Sequence, residues 1–326
     1  MKFIPFLLIM ILLTACGGQT PPPSTPSPVS TSTGIPAPAP TAVPPFAVIG
    51  YLPDYRSVNP EWGNFVTDIV YFSAEPRADG TLDASRLDEN VLAQLHEMQA
   101  RYGTRIHISI GGWERGAGFA DMTADPQTRA HFVDSLAEYL RNNKLDGADF
   151  DWEFPENDTQ FQNYILLLKE VHADFQPKGL TVSVALSPDS EFPLKNFAVA
   201  DRIQIMSYDR GPRHSTYEQA VKDLQTFLDA GLPREKLILG VPFYGRKINS
   251  PDVEATYADL ISQYHPAPAV DEVGGIYFNG LATIQRKVCF ARTASIGGVM
   301  IWELGQDTTD NTSLLRAVYE AAVNGC

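Results

Sequence analysis

Eight short β-rich runs, alternating with amphipathic helical stretches over about 280 residues, predict a (β/α)8 barrel of the TIM type. A doubly wound sheet is the competing architecture, and it tends to carry a glycine-rich phosphate loop after its first strand. Here the first strand leads instead into Tyr51-Leu52-Pro53-Asp54-Tyr55. A third observation concerns placement: four carboxylates crowd into Asp146–Glu153, ending where Pro155 stops a strand. Barrels keep their working residues at such C-terminal strand ends.

In chain order, the first strand is Phe46–Leu52, and the connection Ser57–Val66 that follows has no convincing helix. The strand Asp68–Phe72 precedes a helix over Ser85–Arg101. Ile106–Ile110 is followed by Pro126–Asn142, with Pro126 at a first-turn position that tolerates proline. Gly147–Glu153 is followed by a helix over Thr159–Phe175, and then come the strands Leu180–Leu186 and Arg202–Tyr208. Tyr217–Ala230 is helical, with Gly231 just beyond its C-cap. The strand Leu237–Phe243, the helix Gly280–Arg292, the strand Gly297–Trp302 and the helix Asn311–Ala322 complete the pattern.

The N-terminus reads as a targeting device and not as part of this fold. Lys2 precedes an apolar run, Phe3 to Leu13, of the length of a signal-peptide core. The run ends in Leu13-Thr14-Ala15-Cys16-Gly17, which resembles a bacterial lipoprotein processing site. On that reading residues 1–15 are removed and Cys16 carries the lipid. The alternative is ordinary secretory cleavage after an alanine, with Cys16 incidental. Residues 16–45 are rich in Pro, Ser, Thr and Ala and have too few long apolar residues to bury a core, so an extended tether is expected. The folded domain is then 46–326, outside the cytoplasm, and a single copy is expected to function. Cys289 and Cys326 can pair in an oxidising compartment, with two free thiols as the alternative.

Lys+Arg 25 against Asp+Glu 39 gives a formal net charge of −14, which argues against nucleic acid or an anionic membrane surface as the main partner. The only membrane contact expected is through the N-terminal lipid. A neutral polymer is indifferent to this charge. The 13 Tyr, 17 Phe and 4 Trp supply flat faces for sugar stacking or for a core.

Alternation along a strand puts Asp149, Asp151 and Glu153 on one face and Phe150, Trp152 and Phe154 on the other. Three carboxylates in a protected site repel one another, so at least one pKa should rise. A carboxylic acid still protonated near neutrality is what a general acid requires. Two other readings compete: acids on a solvated edge strand, and a metal site. The apolar opposite face speaks against the first. The second lacks partners, because His96, His107, His131, His172, His214 and His265 show no ligand-like spacing. His107 is the only histidine expected inside the barrel, as a core residue. No metal and no cofactor are expected. Other strand ends bring Ser109-Ile110-Gly111-Gly112, with a hydroxyl within reach of the acids, then Gln204, Met206 and Tyr208 aimed inward together, and Trp302.

These motifs resemble family 18 of the glycoside hydrolases, the chitinase family, over about Phe46 to Val323. Asp146–Glu153 fits its DxxDxDxE signature at all four acids, Ser109–Gly112 its SxGG motif, and Gln204–Asp209 its QxMxYD pattern. The resemblance implies that Glu153 protonates the glycosidic oxygen and that Asp151 orients the substrate's acetamido group. It implies that Asp149 shares a proton with Asp151, and that Tyr208 hydrogen-bonds on the acetamido oxygen side. Tyr51, Ser109, Gly111, Gly112, Trp152, Met206, Asp209, Tyr244 and Arg246 would contact substrate, and Trp302 would form the floor of the cleaved sugar's site. In this family the N-acetyl oxygen acts as nucleophile, an exception to the usual two-carboxylate rule. The implied activity is a retaining chitinase acting on chitin or N-acetylglucosamine oligosaccharides. Alternatives are an endo-β-N-acetylglucosaminidase acting on glycans and a non-catalytic lectin, although the lectin reading sits poorly with a retained Glu153. Phe154 and Gly305 depart from the family pattern. The roughly 50 residues between Arg246 and Gly297 are too few for a full α+β insertion domain, so a shallower cleft is expected.

Overall fold

The computed structural model describes residues 46–326, so the leader, the tether and Cys16 lie outside the described residues. Eight parallel strands close into a barrel: β1 (Ala47–Pro53), β2 (Asp68–Pro76), β3 (Arg105–Gly111), β4 (Gly147–Asp151), β5 (Thr181–Leu186), β6 (Arg202–Ile205), β7 (Leu237–Pro242) and β8 (Gly298–Trp302). Each strand pairs with its chain neighbours, and β8 pairs with β1 to complete the ring. The predicted (β/α)8 fold is the one observed. All eight strands were anticipated, but β4 and β6 stop at Asp151 and Ile205, short of their expected ends.

The helices are α1 (Glu89–Tyr102), α2 (Phe119–Ala124), α3 (Pro126–Asn142), α4 (Asp158–Phe175), α5 (Tyr217–Asp229), α6 (Tyr257–Tyr264), α7 (Leu281–Thr293) and α8 (Leu314–Asn324). Short polar side chains at the caps explain where several begin. Asp125 accepts from the Gln127 N–H at 2.7 Å, directly ahead of Pro126 at the first turn of α3. Asp88, Asn157, Thr216 and Ser313 do the same for α1, α4, α5 and α8. The first connection carries only a 3-10 turn, Pro60–Asn64, and that between β5 and β6 only Leu194–Val199. Helices α2 and α6, six and eight residues long, are too short to leave a periodic signal.

Alternation along β1 divides the core into two. Ala47, Ile49 and Tyr51 point inward with Val70, Phe72, Tyr208, Ile238 and Met300, while Val48 and Leu52 join the larger core under the helices. The barrel floor is polar. Asp68 is fully buried there and receives Arg202 Nη1 at 2.8 Å, with His107 Nε2 2.9 Å away. Burial alone would raise its pKa, but His107, Arg202 and Arg105 hold it below the usual carboxylate range. His107 is thus a core residue, as expected. Between β7 and α7 the chain forms a four-stranded antiparallel sheet from Tyr244–Lys247, Ser250–Thr256, Glu272–Val273 and Ile276–Tyr277, together with α6. This is a reduced insertion and not a full one. The sulfurs of Cys289 and Cys326 are bonded, with the two Cα atoms 5.7 Å apart.

Candidate active site

Asp149 and Asp151 stand at alternate positions of β4, so both side chains enter the barrel while Ala148 and Phe150 pack under the helices. Asp149 is held on all sides. Tyr51 donates its hydroxyl to Oδ2 at 2.6 Å, and Ser183 Oγ and Gln204 Nε2 each donate to Oδ1 at 2.6 Å. Burial raises the Asp149 pKa, and these three donors partly offset the rise. Asp151 has no such support, and its buried Oδ1 lacks any hydrogen-bond partner. Its pKa is pushed well above the carboxylate range by burial and by the charges of Glu153 and Asp149. The two aspartates are linked by field and not by a hydrogen bond; every donor to Asp149 comes from another residue.

Beyond Asp151 the backbone leaves the strand, and the Glu153–Phe154 peptide is cis, as are Phe72–Ser73 and Trp302–Glu303 at two other strand ends. Glu153 remains on the side of the two aspartates. Burial, followed by the Asp209 charge, raises its pKa to about 7. Asp209 in turn is fixed by its neighbours: Tyr244 donates to its Oδ1 at 2.6 Å, Arg246 Nε lies 3.0 Å away, and His214 Nδ1 lies 3.3 Å away. Arg246 also pairs with Glu254. Tyr208 sits among these groups with its hydroxyl directed at Met300 Sδ, 3.7 Å away. After burial, the charges of Asp151, Asp209, Glu153 and Asp149 raise its pKa, so it stays a neutral donor.

Trp302 meets Phe72 edge-on, with centroids 4.9 Å apart, and Tyr51 at 5.5 Å. Met206 packs against the same inward cluster. Glu153, Asp151, Asp149, Tyr208, Met206, Asp209, Tyr244, Arg246 and Trp302 therefore converge at one end of one barrel.

Four expectations need correction. Trp152 is not available to substrate, because it stacks on Phe119 at 5.0 Å and meets Tyr164 at 5.3 Å in the core under α2 and α4. Tyr51 is buried with its hydroxyl committed to Asp149, so it supports an acid instead of lining a groove. Ser109 lies beside Asp149 in register, as expected, but it is fully buried and so does not line an open surface for substrate. Gly111 and Gly112 make room for the protein itself. A Cβ on Gly112 would sit 2.2 Å from the Phe72 ring, and one on Gly111 2.5 Å from Asp151 O.

Other contributors escaped the sequence reading. Ser183 was findable by alternation, since it faces inward between the outward Val182 and Val184 of β5. The pairs Arg56–Glu303, at 2.9 Å, and Arg115–Asp54, at 2.9 Å, join residues far apart in the chain and leave no local signal. Gly305 is explained by the first pair, since a Cβ there would lie 2.8 Å from Arg56 Cδ. Trp113, Tyr55 and Phe154, which are 68%, 63% and 47% exposed, follow β3, β1 and β4. Among the described residues no group of three or more His, Cys, Asp or Glu could hold a metal ion.

Comparison with known proteins gives consistent matches. The family model described as glycosyl hydrolases family 18 matches residues 47–307. Chitinase 1 of Aphanocladium album is 24% identical, over 78% of this chain and 79% of its own length. Chitinase A1 of Niallia circulans is 27% identical, but this chain spans only 42% of it. Among solved structures, a chitinase from Bacteroides thetaiotaomicron superposes with a TM-score of 0.79 at 26% identity, covering 86% of this chain and 97% of that one. The family 18 chitinase ChiB of Flavobacterium johnsoniae gives 0.74 at 27% identity, covering 86% and 95%.

Proposed function

The chain belongs to the family 18 glycosyl hydrolases, and from that premise we propose that it is a chitinase cleaving β-1,4 bonds between N-acetylglucosamine units with retention. The observation that carries this reading is the pairing of a carboxyl held up at about 7, on Glu153, with a buried carboxyl oxygen lacking any partner, on Asp151. A buried unpaired acceptor costs about 1–3 kcal/mol, and an incoming acetamido N–H relieves it. The acetamido oxygen is then turned toward the sugar's anomeric carbon and attacks it, as Glu153 gives its proton to the departing glycosidic oxygen. The cyclised, positively charged intermediate lies beside Asp151, and the Tyr208 hydroxyl donates to the acetamido group. Water, activated by the now ionised Glu153, opens the ring and returns the proton. Trp302 supplies the apolar floor.

The test is a time course on N-acetylated chitin oligomers with wild type and Glu153→Gln. The expected result is loss of hydrolysis by at least about 100-fold, the scale of general-acid catalysis, with binding retained. Equal turnover by both forms overturns the assignment. Turnover of branched glycans alone would point to an endo-β-N-acetylglucosaminidase, and binding without turnover in wild type to a lectin.

We place the enzyme outside the cytoplasm, anchored by a lipid on Cys16. The Cys289–Cys326 disulfide supports an oxidising setting. Cys16→Ser should move the protein from the membrane fraction to the soluble one; a variant that stays membrane-bound rules the anchor out.

A further inference from the structure

The segment that carries Tyr208 and Asp209 is not held by sheet pairing. Strand β6 ends at Ile205, and Met206–Ser215 continues as irregular chain in which Asp209 adopts φ +63°. Non-glycine residues seldom occupy that region, so the surroundings must impose it. Two buried anchors do so from behind. The first is Asp223 of α5, which accepts from Ser207 Oγ at 2.7 Å and from Gln219 Nε2 at 2.6 Å and also pairs with Arg210.

The second anchor is Lys287 of α7, fully buried and touching no carboxylate. Its Nζ donates to Ser215 O at 2.8 Å, Ser215 Oγ at 2.7 Å and Asn279 Oδ1 at 2.7 Å. Hydrogen-bond accounting leaves these three only the acceptor role. Ser215 Oγ has already given its proton to Ser207 O, at 2.7 Å, and Asn279 Nδ2 already donates to Ser215 O, at 2.8 Å. Three acceptors around one nitrogen call for three protons, which only the ammonium form has. Burial lowers the Lys287 pKa to about 7, and the charges of Asp271, Asp223 and Glu218 offset part of that fall. An ion placed this deep must repay its desolvation through its contacts. The chain of contacts runs from Lys287 to Ser215, from Ser215 to the backbone of Ser207 beside Tyr208, and through the adjoining His214 to Asp209.

We propose that Lys287 is a positioning residue for the hydrolytic site, its ammonium clasping Ser215 so that the Met206–Ser215 segment presents Tyr208 and Asp209 to Glu153. This deepens the chitinase reading and rests on it for its catalytic consequence. The clasp itself is testable in the protein alone.

Two measurements on Lys287→Met and on Ser215→Ala decide the matter. The first is amide hydrogen exchange of the full chain without substrate. Protection over Met206–Ser215 should fall at least about 10-fold relative to that of β1 and β2, which reports local opening and not global unfolding. Ser215→Ala carries this test if Lys287→Met does not fold. The second is the pH profile of oligomer hydrolysis. Displacing Asp209 removes the charge that helps keep Glu153 protonated, so the alkaline limb should move to lower pH, whereas a merely structural defect would lower kcat and leave the limb in place. Unchanged protection in both variants overturns the proposal. Lost protection with an unmoved limb breaks the link to Asp209 and overturns it equally. A wild type inert toward N-acetylated oligomers refutes the chitinase reading instead, and the exchange data then decide for or against the clasp.

Discussion

At the residue level, two acids on β4 and a third two residues beyond its end divide their roles by environment. Asp149 is saturated by Tyr51, Ser183 and Gln204, Asp151 is left wanting a donor, and Glu153 sits at the rim. The alternation that aligns them was legible in sequence, and so was the upward push on their pKa values. What alternation could not assign was which neighbour satisfies which oxygen, because Tyr51, Ser183 and Gln204 come from three other strands. The raised Glu153 pKa also has a thermodynamic sign. Its folded form binds a proton that the unfolded chain releases above about 4.3, so between that pH and about 7 stability falls as pH rises. Glu153→Gln removes the titration. The variant should therefore be more stable than wild type at pH 7 and above, by on the order of 1–3 kcal/mol after allowance for its partial exposure. Denaturant melts at pH 5 and pH 8 check this, and a gain equal at both values contradicts it. Wild-type hydrolysis should decline as pH rises through about 7, where Glu153 loses its proton.

At the level of elements, strand ends matter more than strand middles. The end of β3 shows why small residues stand there. Gly112 has φ +99° and lies directly on the Phe72 ring, itself the edge-on partner of Trp302. The glycines of Ser109–Gly112 were visible in sequence, and they had been assigned to substrate approach. Their demand is internal, and no local pattern distinguishes the two, because Phe72 belongs to another strand. Gly112→Ala must either displace Phe72 or twist β3, and it adds left-handed backbone strain. Together these should cost about 2–4 kcal/mol. Hydrolysis should fall along with stability, since Trp302 loses its support. A melting curve that superposes on wild type rejects this account of the motif. Trp152 carries the same lesson. Just past the end of β4 it stays on the same side as Phe150, and its stacking on Phe119 follows from that placement.

Across the whole molecule, the eight-strand count and order were readable because each strand is a short apolar run paired with its chain neighbour. The pieces that close the structure were not readable to the same degree, because they join distant segments. The bond between Cys289 and Cys326 is the clearest of these, and sequence left pairing and free thiols equally open. It ties the end of the chain, just after α8, to the middle of α7, two helices that cover β8 and β1, where the barrel closes on itself. The bridge encloses 37 residues of separation, and chain-entropy arguments for a loop of that size give an upper bound near 4 kcal/mol. Because α7 and α8 already pack together, the lower part of the range, about 2 kcal/mol, is expected. Cys326→Ser should accordingly lower Tm by roughly 3–4 °C. Hydrolysis of N-acetylated oligomers at moderate temperature should be unchanged, because the acids hang from β4 and Lys287 holds α7 against the opposite side. If Cys326→Ser melts with the wild type, the seam is closed by packing alone. If it loses activity at temperatures where it is still folded, the terminus reaches the site by a route other than this seam.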